Sequence, residues 1–97
     1  MGRRYIEITE VIKICKVDKD FIQQLERESV IRPVVQRSRK LYSPDQVDRI
    51  RIANLLIQEM GVNLEGAEVV LNMREQMIAM QRQFNEVLRL IGDEIKR

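Results

Sequence analysis

The chain has no histidine and a single cysteine, Cys15, among its 97 residues. One cysteine excludes an intramolecular disulfide. With no imidazole and one thiol, the soft ligands of a zinc site are missing, so no metal or other cofactor is expected. Nucleophilic catalysis lacks its usual parts for the same reason, and Cys15 falls on the apolar face of a predicted helix. Carboxylates are scattered among arginines, with no pair in an apolar setting. No glycine-rich phosphate loop occurs: Gly61 and Gly66 read as a helix stop and a close-packing point. The expectation is a non-enzyme. No stretch approaches the ~18 apolar residues of a membrane span. The opening "MGRRYIEI" has two arginines but no long apolar run behind them, so it is not a signal peptide. Ile6 stands where a myristoylation motif at Gly2 requires Ser or Thr. A cytoplasmic protein is therefore the default. Aromatics make up only 4%, and Lys+Arg 17 against Asp+Glu 15 leaves +2, a surplus too small to point to a partner. Only the distribution of charge can do that.

What is present, 44% hydrophobic and 33% charged residues, is a soluble, helix-rich balance for one small domain with an appendage. A chain this short buries a limited core, and oligomerisation is a natural way to add to it. "ITEVIKICKV" puts Ile8, Val11, Ile12 and Cys15 on one helical face, with Thr9 as a plausible N-cap. Asp18 can cap a second helix, "KDFIQQLERESVI", with Phe21, Ile22 and Leu25 pointing one way. The connection around Lys16–Asp18 has the length of a helix-turn-helix. Pro33 is expected to stop the second helix. "VVQRSRKLY" then reads as a small two-stranded hairpin, or wing, with its tip at Gln36 to Lys40, although it lacks the glycine usual in a tight turn.

Ser43-Pro44-Asp45-Gln46 is the clearest local signal. Ser43 can accept from the amide three residues on, and Gln46 can reach back to the Ser43 amide. Pro44 occupies the first helical position, and Asp45 complements the dipole. Val47, Ile50, Ala53, Leu56 and Met60 continue at helical spacing to Gly61. Asn63 caps again, and no proline interrupts the chain from Leu64 to Arg97. There Val70, Met73, Met77, Met80, Phe84, Val87 and Ile91 alternate steps of three and four, an a/d seam. Its functional reading is a dimerisation helix, and its plain reading is a helix packed back on its own domain.

Between Arg32 and Arg51, six basic residues (Arg32, Arg37, Arg39, Lys40, Arg49, Arg51) face Asp45 and Asp48, so six minus two gives +4. Such a patch attracts duplex phosphates without reading sequence. Tyr42 can add a hydroxyl to a phosphate oxygen. On the second helix Lys19, Gln23, Gln24 and Arg27 form a polar side, and Gln and Arg can pair bidentately with adenine and guanine. Glu26 and Glu28 beside them repel phosphate unless turned away.

The order helix, turn, helix, basic wing, capped helix, long helix resembles the MerR-type winged helix-turn-helix family. "ITEVIKICKV", "FIQQLERESVIRP", "RKLYSPDQVDRI" and "MGVNLEGAEVVLNM" carry the resemblance, most specifically "LYSPDQVDRI" and "GVNLEGAEVVL", which most resemble its heat-shock-repressor branch. The resemblance implies a homodimer with the second helix in the major groove, the wing on the backbone and the last helices paired antiparallel. The chain departs from the family at Gln23, Gln24 and Leu25, where an arginine and aromatics are usual, and at Lys16 and Ser29, where glycines are usual. The wing is also a few residues shorter. The chaperone-modulator proteins, which dock on the J-domain of a DnaJ-type co-chaperone, are similar in "GVNLEGAEVVLNM", the long last helix and the missing arginine.

The expected fold is all-α, mainly helical, with a small β-wing: a MerR-like winged helix-turn-helix over residues 1–62 and a coiled-coil-like dimerisation or partner helix over 63–97. The expected partners are double-stranded DNA and a second copy of the chain. A chaperone or J-domain co-chaperone is the alternative, and no membrane association is expected.

Overall fold

The computed structural model describes residues 4–95. Gly2 lies outside them. The fold is mainly helical with one small antiparallel sheet of order β1-β3-β2. Strand β1 (Ile6–Glu7) runs directly into helix α1 (Ile8–Cys15). Thr9 is thus not the N-cap. Glu7 takes that place in extended conformation, and no side chain caps it. Pairing of Ile6 with Tyr42 and Glu7 with Leu41 holds the chain extended up to Ile8, so the sheet sets the start of α1. This strand is too short to give a period-2 signal in the sequence.

Lys16 closes α1 in left-handed conformation (φ 56°, ψ 47°), its N–H donating to the Ile12 carbonyl at 3.0 Å. Helix α2 (Lys19–Arg27) follows, and the Asp18 carboxylate accepts from the Phe21 amide at 2.8 Å. It ends six residues before Pro33. Ser29, at φ 59°, reverses the chain, and the Val30 amide returns to the Leu25 carbonyl at 2.9 Å. Burial of Val30 and Ile31 in the core compensates the lost helical turn.

Strands β2 (Val34–Gln36) and β3 (Arg39–Tyr42) form the wing, with Gln36 opposite Arg39. The two-residue turn needs positive φ at both positions, and Arg37 (52°) and Ser38 (64°) supply it without glycine.

Helix α3 (Pro44–Asn54) begins as the sequence predicts, with the Ser43 hydroxyl accepting from the Gln46 amide at 3.4 Å. The reciprocal half of the capping box is absent. The Gln46 side-chain oxygen accepts instead from the Arg32 amide at 2.6 Å, which ties the end of the α2–β2 loop to α3. A π-helical turn (Leu55–Glu59) extends α3, and Gly61 (φ 72°) ends it. Helix α4 (Leu64–Ile95) starts with the Asn63 side chain accepting from the Gly66 amide at 2.7 Å. A Cβ on Gly66 would meet Val62 Cγ1 at 2.9 Å, the close-packing point expected there.

The core joins Val11 and Cys15 of α1, Ile22 and Leu25 of α2, Val30, Ile31, Tyr42, and Val47, Ile50 and Ala53 of α3. Helix α4 adds Leu71 to it, with Leu64 packed against it; Ala67, one turn before Leu71, is also fully buried. The buried Arg49 guanidinium fastens the same joint, donating from Nε to the Val30 carbonyl at 2.7 Å and pairing with Glu75 of α4. Beyond that joint α4 runs free as an arm, which gives the molecule its 56 Å long axis.

Candidate nucleic-acid interface

The short turn from Lys16 to Asp18 sets α2 on α1, and the core residues Ile22 and Leu25 fix which side of α2 faces out. On that side Lys19, Gln24 and Arg27 are exposed and Gln23 is half-buried. The wing lies alongside. Lys19 and Gln23 of α2, Ser38, Arg39 and Lys40 of the wing, and Glu7 of β1 line one cleft of about 450 Å³. Gln23, Arg27 and Lys40 share a smaller neighbouring cleft with Glu26. Helix and hairpin therefore present their basic groups on one side. Gln24 and Arg37 line neither cleft; Arg37 stands exposed at the wing tip.

Tyr42 lies beneath the same cleft and is not exposed on its surface. At the end of β3 its ring turns inward and is fully buried, so the hydroxyl cannot reach a phosphate. That hydroxyl has no hydrogen-bond partner among the described residues. Burial, and secondarily the negative charge of Glu26, push its pKa above the usual phenol range.

The +4 surplus read along the chain is also reduced. Arg49 is buried in the α3–α4 joint and Arg51 pairs with Asp48 of its own helix at 3.5 Å. Two wing cations are held from below: Lys40 Nζ lies 2.6 Å from Glu26 Oε2 of α2, and Arg39 pairs with Glu7 of β1. Among the described residues Arg37, Lys19 and Arg27 carry no ion pair. Glu7 and Glu26 are thus part of the site, although sequence reasoning treated Glu26 only as a repulsive neighbour and Glu7 not at all. Glu26 lies seven residues after Lys19 on the same helix, and that spacing was the available signal. Glu7 reaches the wing only through the β1–β3 pairing.

The second sequence-predicted set lies on α4. Val70, Met73, Met77, Met80, Phe84, Val87 and Ile91 are all exposed, between 40% and 67%. At about 100° per residue their mean direction lies about 130° around the helix from that of Ala67 and Leu71, the residues that pack on the body. The seam is therefore not the face by which α4 joins its own domain.

A family model for MerR HTH family regulatory proteins matches residues 6–89. The chain belongs to the MerR family. Comparison with curated proteins and with solved structures finds no match. The match runs from β1 through the two helices, the wing and α3 well into the arm of α4. The matched range of this MerR-family chain takes in the helix-turn-helix, the wing and six of the seven seam residues. Among the described residues no group of three or more Cys, Asp or Glu side chains is arranged to hold a metal, and no helix is long and apolar enough to cross a membrane.

Proposed function

We propose that this MerR-family chain is a dimeric DNA-binding transcriptional regulator. The observation that carries the reading is the shared face of α2 and the wing, where Lys19, Gln23, Arg39 and Lys40 surround one cleft. In this reading α2 enters the major groove with Lys19, Gln23, Gln24 and Arg27. Arg37, Arg39 and Lys40 follow the flanking phosphates. The division of labour is a DNA-binding head over residues 1–62 and an arm over 63–97, where the exposed seam from Val70 to Ile91 pairs with its twin. The heat-shock-repressor likeness of "LYSPDQVDRI" and "GVNLEGAEVVL" makes a chaperone-linked regulon the narrower form of the proposal.

One observation favours a second reading. Arg39 and Lys40 are neutralised inside the protein, which suits a module that has exchanged DNA for a protein partner such as the J-domain of a co-chaperone. Fluorescence anisotropy with labelled duplex DNA across a salt series separates the two. A DNA binder loses affinity linearly in log Kd against log salt, and Arg37→Ala reduces the slope by about one phosphate contact. No measurable binding at low salt, together with co-elution with a J-domain on a sizing column, would establish the second reading instead.

A further inference from the structure

The wing offers its charge under restraint. Its outer cation, Arg37, has no ion pair among the described residues, but Arg39 and Lys40 are each held by a carboxylate from a different element. Arg39 is bound to Glu7 of β1 and Lys40 to Glu26 of α2. The two pairs thus fasten β3 to both its flanks. Both acids line the cleft between wing and second helix, and Glu26 also lines the neighbouring one. Neither is a remote surface charge: each lies where a phosphate entering the cleft has to approach.

The Glu26 pair is also incomplete. Glu26 uses Oε2 for Lys40, while its Oε1 is buried with no hydrogen-bond partner among the described residues. A carboxylate satisfied on one side only gains less from its pair than a fully bonded one. The Lys40 side chain is half exposed, and the Arg39 side chain more so. Both cations are open to water, although Glu26 itself is mostly buried, and ion pairs with such an exposed partner favour the bound geometry by only a factor of about two to five. A duplex phosphate, which releases condensed counterions when a cation reaches it, can compete at that level.

We propose that Glu7 and Glu26 are internal competitors for the wing cations, so that DNA binding is an exchange in which phosphates displace the two carboxylates from Arg39 and Lys40. This rests on the DNA-binding reading above and adds the device that sets its strength. The free protein holds its wing cations in place but masked. Affinity is then governed by the competing acids as much as by the number of basic residues. Glu28, exposed at the C-cap of the same helix and in no ion pair among the described residues, is the internal control: it repels phosphate but masks no cation.

The test is a double-mutant cycle on the full 97-residue chain, read by anisotropy with a mixed-sequence duplex at low salt. Folding of each form is checked by circular dichroism. Glu26→Gln tightens binding about fivefold, clearly more than Glu28→Gln. Lys40→Gln weakens it. In the Lys40→Gln background Glu26→Gln gains no more than Glu28→Gln does, because no masked cation remains to be released. The Glu7/Arg39 pair gives a second, independent cycle with the same pattern. A gain from Glu26→Gln that persists in full without Lys40 would mean plain repulsion and overturn the exchange. A loss of affinity from Glu26→Gln would overturn it too, by making Glu26 a DNA contact. If the wild type binds and the effects are merely additive, this inference fails while the DNA-binding reading stands. If no form binds, including Glu7→Gln with Glu26→Gln, both fail.

Discussion

At the residue scale, the chain places ordinary side chains where backbone geometry favours glycine. Lys16, Ser29, Arg37 and Ser38 all have φ between 52° and 64°. Left-handed backbone costs an L-residue about 1 kcal/mol or more through its Cβ. Lys16 and Ser29 are also the two positions where the family resemblance leads one to expect glycine. Lys16→Gly and Ser29→Gly are each expected to raise stability by about 1 kcal/mol, read as a higher urea midpoint. A lower midpoint would mean that these side chains make contacts outweighing the strain. Tyr42 and Cys15 give the alkaline limit of stability. Burial is the main cause that lifts both above their ordinary values of 10.0 and 9.0. The folded state then holds these protons more tightly than the unfolded chain. The stabilisation is complete below the ordinary values and is lost as pH rises through the higher folded ones. Urea midpoints are therefore expected to fall above pH 9.0, and Tyr42→Phe should flatten the part of the decline above pH 10.0. At neutral pH Tyr42→Phe should cost little, since the hydroxyl it removes is buried without a partner among the described residues.

At the element scale, the joint between head and arm rests on one cation. Arg49 of α3 reaches the Val30 carbonyl after α2 and the Glu75 carboxylate on α4, so three segments meet on one guanidinium. Its aliphatic stem lies in the core and its charged end is paired, which suits a planar group with several fixed donors. Arg49→Met keeps the stem but leaves the Val30 carbonyl unpaired, with an expected loss of about 2 kcal/mol. Glu75→Gln retains a hydrogen-bond acceptor at a more exposed position and is expected to cost less than about 1 kcal/mol. Chemical denaturation of the two variants measures the difference. Equal losses would show that the ion pair, rather than the bond to Val30, holds the joint. Gln46 serves the same region: its bond to the Arg32 amide fixes the loop that leads into the wing, and so contributes to where the basic hairpin lies relative to α2.

At the scale of the whole molecule, the main feature is a long apolar stripe that the chain does not cover. Seven seam residues from Val70 to Ile91 are exposed on a helix whose other face already anchors it. A contiguous exposed apolar stripe of this length marks an interaction surface. The knobs-into-holes spacing of the stripe suits another helix with the same repeat. Three methionines in it add adaptable packing. Met77→Glu combined with Phe84→Glu is expected to halve the mass seen by sedimentation equilibrium while the head keeps its fold. An unchanged mass would refute pairing through the seam. In the dimeric reading two heads bind two half-sites together, so the same variant is also expected to weaken binding to duplex DNA strongly.

The elements were legible in the chain alone. Helical periodicity placed α1, α2, α3 and α4, and Ser43-Pro44 and Asn63 marked two helix starts, because caps and periodicity act within a few residues of chain. The heptad spacing, also a local property, places the seam on one face of α4. Tertiary structure alone decided the rest. The strand Ile6–Glu7 exists only through its pairing with β3. The end of α2 depends on burial of Val30 and Ile31, and the partner of Gln46 came from fourteen residues away. The site shows the difference most clearly. The basic cluster was legible as charge, but charge is counted along the chain and neutralised across it. Folding sent Tyr42 and Arg49 inward and set Glu7 and Glu26 against Arg39 and Lys40. Coulombic pairing depends on distance in space, and only the fold sets those distances.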